Sequence, residues 1–163
     1  MTTSQTIMKK TIIILDNIRS AHNVGSVFRT SDGAGVEKIY LLGTTPSPRD
    51  RFGREVPEIK KTSLGASAMV NWEHIDNEDT EALLLRLKSE GFELVAVEQT
   101  PTGTSLYDFI PSDKTCYIFG NEIDGVGSRL LDTASKAIEI PMKGKKESLN
   151  VSVTVGVVLF RNG

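Results

Sequence analysis

Residues 140–160 read IPMKGKKESLNVSVTVGVVLF, and how this stretch is read decides the fold. Ala137–Ile140 is apolar and ends at Pro141, as a strand does. Lys143, Gly144, Lys145 and Lys146 follow as a basic loop that closes on Ser148 and Asn150. By themselves these lysines are most simply a solvated loop. Val151, Val153, Val155 and Val157 then alternate with Ser152, Thr154 and Gly156. Period-two alternation is the signature of a half-buried strand, and β-branched residues disfavour helix. Local pattern alone therefore reads residues 151–157 as an edge or sandwich strand. Ser148 or Asn150 has a second use, as the cap of a helix or a hydrogen-bonding partner of a ligand.

Upstream, short apolar runs alternate with helical patterns. Thr11–Leu15, Lys38–Leu42, Phe92–Val97 and Thr115–Phe119 join Ala137–Ile140 as strand candidates. Each is almost continuously apolar, as expected of parallel strands covered on both faces. Asn23–Gly33 carries Val24, Val27 and Phe28 at helical spacing, with Asn23 as its expected N-cap. Thr80–Glu90 carries Leu83, Leu84 and Leu87, with Thr80 as cap and Gly91 as stop. Strand–helix–strand alternation predicts an α/β fold with a mostly parallel sheet and helices on both faces. Thr44–Thr62 holds three prolines and the cations Arg49, Arg51, Arg54, Lys60 and Lys61. It reads as a long surface loop, and such loops are usually functional or disordered.

The 163 residues predict one domain over 1–163, with residues 1–10 as a frayed tail. Net charge is −2, which argues against nucleic-acid binding through overall charge and requires a local basic patch instead. Cys116 is the only cysteine and lies in an apolar run. A buried thiol and a reducing, cytoplasmic setting are expected. No apolar run approaches the roughly 18 residues of a membrane span. Lys9 and Lys10 precede too short an apolar run for a secretory leader.

Two further constellations stand at the C-terminal ends of strands, the edge at which open α/β sheets bind ligands. In the first, Asn23, Gly25 and Arg29 lie on the helix after the first strand. Taken alone, a capped helix with one surface arginine is the commoner reading. The second is Ile118-Phe-Gly-Asn-Glu-Ile-Asp-Gly-Val-Gly127. Its glycines free the backbone to approach a ligand, although a glycine-rich turn explains it equally well. It is no dinucleotide fingerprint, because Leu130 stands where a third glycine belongs. No phosphate-binding P-loop, nucleophile elbow or metal-ligand spacing occurs; His22 and His74 are isolated and Trp72 suits packing.

Together, the three segments resemble the three signature motifs of the SPOUT superfamily of RNA methyltransferases, TrmH-like branch. Asn23, Gly25 and Arg29 resemble its Asn-x-Gly-x-x-x-Arg element; Phe119–Gly125 its Phe-Gly-Asn-Glu-x-x-Gly element; Ile140–Ser152 its Ile-Pro-Met…Ser-Leu-Asn-Val-Ser element. The resemblance spans residues 11–160. It implies a C-terminal trefoil knot and a helix from about Asn150, against the strand pattern. The helix is the reading adopted, because tertiary burial overrides propensity. It also implies S-adenosylmethionine as cofactor, no metal, and transfer of its methyl to a ribose 2′-hydroxyl of tRNA or rRNA, tRNA being favoured. Cofactor contacts fall to Val97, Glu98, Gly120, Ile140, Met142, Ser148 and Leu149. Arg29, Asn23, Glu122 and Asn150 become the catalytic set, with Arg29 acting across a homodimer interface at the knot. A general-base role is proposed for such arginines; a guanidinium pKa above about 12 favours gripping a phosphate instead. Arg49, Arg51, Arg54, Lys60, Lys61, Lys143, Lys145 and Lys146 make up the expected RNA patch. The competing reading is a non-catalytic RNA-binding module on the same fold.

Overall fold

An interior strand of the sheet, β1 (Lys10–Asp16), is apolar on both sides and pairs in parallel with β2 (Lys38–Leu42) and β6 (Lys114–Gly120). In this computed structural model, which describes residues 8–163, the sheet continues through β3 (Asn71–Ile75), β4 (Glu93–Val97), β7 (Lys136–Glu139) and the two-residue β5 (Thr104–Ser105). Strand order is β3-β2-β1-β6-β4-β7-β5, and every pairing is parallel. Residues 1–7 of the expected tail lie outside the described residues, whereas Lys10 already belongs to β1.

Alternation along β1 sends its side chains to two cores. Ile13 and Leu15 pack with Val24 and Phe28 of α1 (Ala21–Ala34), Ile59 of α2 (Pro57–Ser63) and Val155 of α5 (Val151–Arg161). Ile12 and Ile14 pack on the opposite face with Leu83, Leu84 and Leu87 of α3 (Thr80–Ser89) and Leu130 of α4 (Ser128–Thr133). Helices thus cover both faces, which is why the strands read as apolar runs without alternation.

Residues 151–161 are a helix. Val151, Val155, Val158 and Leu159 are buried, at the i, i+4, i+7, i+8 spacing of one helical face, while Val153 and Val157 stay half exposed. Asn150 caps it by accepting from the Ser152 N–H at 2.9 Å. The valine alternation is real but coincides with a helical stripe that packs on α1; burial of that stripe outweighs β-branched propensity.

Several expectations need correction. Ser20, not Asn23, caps α1: its hydroxyl accepts from the Asn23 N–H at 3.1 Å. Thr80 is the first residue of α3 rather than its cap, and its hydroxyl bonds back to the Asp76 carbonyl. The segment expected as a continuous loop holds a hairpin, in which Arg49 bridges Glu55, and then α2. Pro57 starts α2 with its preset φ and needs no N–H there. Trp72 lies in β3 and packs against the α1-side core.

Candidate functional site

An all-parallel sheet brings every strand's C-terminal end to one edge, so the segments after β4, β6 and β7 meet there. They enclose a cavity of about 430 Å³. Val97 and Glu98 enter it from β4, Gly120 and Glu122 from β6, and Ile140, Met142, Ser148 and Leu149 from the β7–α5 segment. All seven expected cofactor positions line this one space.

The turn after β6 is held tightly. A Cβ at Gly120 would overlap the backbone of Gly125 and Val126, so only glycine lets the strand end pass beneath its own loop. Gly125 has φ 67°, and a Cβ there would collide with the Glu98 carboxylate. Asn121 Oδ1 accepts from the N–H groups of Ile123 (3.0 Å) and Asp124 (2.7 Å), an Asx turn.

Two carboxylates then grip the loop's far side. Glu98 accepts from the Val126 N–H at 2.8 Å, and Asp16 accepts from the Gly127 N–H at 2.8 Å. Burial raises the Asp16 pKa above the ordinary carboxylate value, against the lowering effect of the Gly127 bond. Glu98, expected among cofactor contacts, thus spends both oxygens on the protein's own backbone, Oε2 on Val126 and Oε1 on Gln99; it shapes the cavity as well as lining it.

The three motifs join through side chains. Asn23 Nδ2 donates to Glu122 Oε1 at 3.3 Å, and Asn150 Nδ2 donates to Asn23 Oδ1 at 3.4 Å. The Val151 N–H also points to Glu122 Oε1, at 3.5 Å. Asn23 is nearly buried, and because Ser20 does the capping its amide is free to bridge residues 99 and 127 positions away. A charge-bearing carboxylate between two amides at the cavity rim is suited to orienting a polar ligand group.

Arg29 does not join this cluster. Six residues along α1 place it about 9 Å further up the axis and about 120° around from Asn23. It is exposed, and among the described residues its side chain makes no hydrogen bond or ion pair. Gly25, between them, serves helix packing instead. A Cβ there would overlap the Thr62 hydroxyl and sit 2.9 Å from the Ile59 carbonyl, so Gly25 sets the approach of α2 to α1.

The expected RNA patch is only partly free. Arg49 and Lys60 pair with Glu55 at 3.6 and 2.9 Å, and Arg54 pairs with Asp50 at 3.0 Å. The Arg54 backbone N–H first, with that of Phe52 and the Arg54 guanidinium, lowers the Asp50 pKa from its ordinary value, and Lys60, with a smaller part from Arg49, lowers that of Glu55. Arg51, Lys61, Lys143, Lys145 and Lys146 are in no ion pair among the described residues. Cys116 is fully buried, its pKa pushed up by desolvation, and it lies away from the cavity. Asp16 is a site residue that the motifs did not contain. Only its place at the end of β1 hinted at it.

The sequence model of the SpoU rRNA Methylase family matches residues 10–160. The tRNA (guanosine(18)-2′-O)-methyltransferase of Aquifex aeolicus is 30% identical over 152 residues, covering 93% of this chain and 68% of that protein. The 23S rRNA (guanosine-2′-O-)-methyltransferase RlmB of Neisseria meningitidis serogroup B is 30% identical over 148 residues, 91% of this chain and 56% of that one. A crystal structure of an AdoMet-bound rRNA methyltransferase from Sinorhizobium meliloti superposes with a TM-score of 0.82 at 25% identity. It covers 94% of this chain and 55% of that chain, so the present chain spans little more than half of some relatives. With the family model matched almost end to end and the motifs meeting at one cavity, this chain belongs to the SpoU methylase family, the TrmH-like branch of the SPOUT superfamily.

Proposed function

We propose that the chain, as one domain, transfers a methyl group from S-adenosylmethionine to a ribose 2′-hydroxyl of structured RNA, with tRNA favoured over rRNA. The observation that carries this reading is the hydrogen-bonded meeting of Asn23, Glu122 and Asn150, through which Glu122, itself a lining residue of the cavity, is tied to the other two motifs. The cavity suits the cofactor: apolar walls from Val97, Ile140, Met142 and Leu149, close backbone at Gly120, and a volume within the usual range for small ligands. When bound, the cofactor supplies an electrophilic methyl on sulfur. The residues' part is positioning, which by itself supplies a large share of such rate gains. Asn23, Glu122 and Asn150 hold the ribose at the rim, and Glu122 offers an acceptor oxygen toward the hydroxyl proton.

Arg29 completes the site from a second copy of the chain. Its exposed position, away from its own cavity, fits a homodimer formed through α1 and α5. The apolar side chains Val153, Val157 and Phe160 project from α5 beside it, Phe160 being 61% exposed. There Arg29 grips an RNA phosphate bidentately and orients the nucleophile. A threaded C-terminus accords with α5 starting inside the motif cluster at Asn150. No helix among the described residues is long and apolar enough to cross a membrane, and the single buried Cys116 suits a reducing compartment, so we place the protein in the cytoplasm with its RNA.

The deciding experiment uses Arg29→Ala with labelled S-adenosylmethionine and total RNA separated into tRNA and rRNA. Methyl transfer is lost while cofactor binding stays at the wild-type value. Turnover near normal removes Arg29 from the mechanism. Failure of the wild-type protein to bind the cofactor favours the RNA-binding module.

A further inference from the structure

Residues 48–56 form a hairpin that is fixed at several points. Asp50 and Arg54 pair through the backbone at 2.9 Å, the Val56 N–H donates to the Pro48 carbonyl at 2.9 Å, and Arg49 donates to the Gly53 carbonyl at 2.9 Å. Asp50 Oδ1 also accepts from the N–H groups of Phe52 (2.9 Å) and Arg54 (3.0 Å). At the tip of this fixed turn stands Phe52, 66% exposed and packed in neither core. Two guanidiniums lie against its ring, Arg51 at 4.8 Å and Arg54 at 5.0 Å from the centroid.

A rigid loop that holds an aromatic ring in water stabilises nothing in the monomer. The charges around it do not explain it either, because Arg49 and Arg54 are largely neutralised by Glu55 and Asp50. There remains a flat apolar surface edged with planar cations, the arrangement on which nucleobases stack. The hairpin leaves the C-terminal end of β2, the same sheet edge as the cavity. The end of β2 lies two strand spacings from the end of β6, about 10 Å within the sheet plane, and the hairpin begins six residues beyond it. An RNA strand with its ribose at the cavity has further nucleotides within that reach.

Resting on the reading of this chain as an RNA methyltransferase, we propose that Phe52 is a stacking platform for an unpaired base of the substrate RNA, with Arg51 and Arg54 flanking it. The site therefore selects RNA with single-stranded loops over continuous duplex.

The test measures binding of the full chain to a stem–loop RNA carrying 2-aminopurine in its loop, and to a blunt duplex of equal length. Phe52→Ala is expected to weaken stem–loop binding about tenfold and to remove the fluorescence quench, with duplex binding unchanged. Phe52→Trp is expected to restore both. S-adenosylmethionine affinity serves as the check that each variant is folded. Equal binding by wild type and Phe52→Ala, or an equal loss on both RNAs, overturns the platform while leaving the enzyme reading intact. A wild-type protein that binds neither RNA overturns both. A change in molecular mass instead of RNA affinity assigns the ring to contact between copies of the chain, and also overturns the proposal.

Discussion

Glu98 offers the sharpest check on how the cavity is held. Its bond to the Val126 N–H, 2.8 Å long, links β4 to the turn after β6. The bond to its own neighbour Gln99 at 3.1 Å is local and holds no loop. Removing the carboxylate therefore removes one charge-assisted bond across the cavity, worth roughly 1.5–3 kcal/mol. That would be about ten- to a hundredfold in the fraction of closed loop if nothing else held it. Asp16 on Gly127 and the Asx turn at Asn121 remain, so the lower end applies. Glu98→Ala should weaken S-adenosylmethionine binding about tenfold by titration calorimetry. Glu98→Gln, which keeps an acceptor but loses the charge, should fall between the two. The Val126 amide should also exchange faster in the cofactor-free protein, which loss of a direct cofactor contact would not cause. A Glu98→Ala dissociation constant within twofold of wild type, with unchanged Val126 exchange, refutes the clamp.

Other expectations rest on single contacts. Gly25→Ala gains about 1 kcal/mol of helix propensity but drives a Cβ into Thr62 and toward the Ile59 carbonyl. The backbone cannot rotate away as a side chain can, so urea denaturation should show a net loss of about 1–3 kcal/mol, partly relieved by Thr62→Ala. For Asp16 the folded pKa lies above the unfolded one, so its protonated form stabilises the fold below about pH 3.9, and that contribution is lost as pH rises through the raised value. Asp16→Asn should therefore match or exceed wild-type stability at pH 7, with any advantage vanishing in acid, as read from urea midpoints across pH. Lys143, Lys145 and Lys146 form no ion pair among the described residues, whereas Lys60 is held by Glu55. Replacing all three by alanine should lower the slope of log affinity against log salt by about 2–3, and Lys60→Ala by less than about 1, in RNA-binding titrations.

The local chemistry of this chain was legible in its residues. Continuous apolar strands bounded by turn residues, and the three segments after strand ends, led to the parallel sheet and its ligand-binding edge, because strand periodicity and glycine placement are local properties; the seven expected cofactor positions, all of which line the cavity, came from the family resemblance. Three matters needed the tertiary structure. The valine-rich C-terminus is a helix because Val151, Val155 and Val158 find α1 and the sheet, a burial that no window of sequence contains. Asn23 is a bridge and not a cap because Ser20 reached the helix start first, and Asn23 then met Glu122 and Asn150 across long sequence separations. The basic segment is partly self-paired, since its hairpin sets Asp50 and Glu55 against Arg54, Arg49 and Lys60. Composition counts charges, but only folded geometry decides which of them face each other and which remain for a partner.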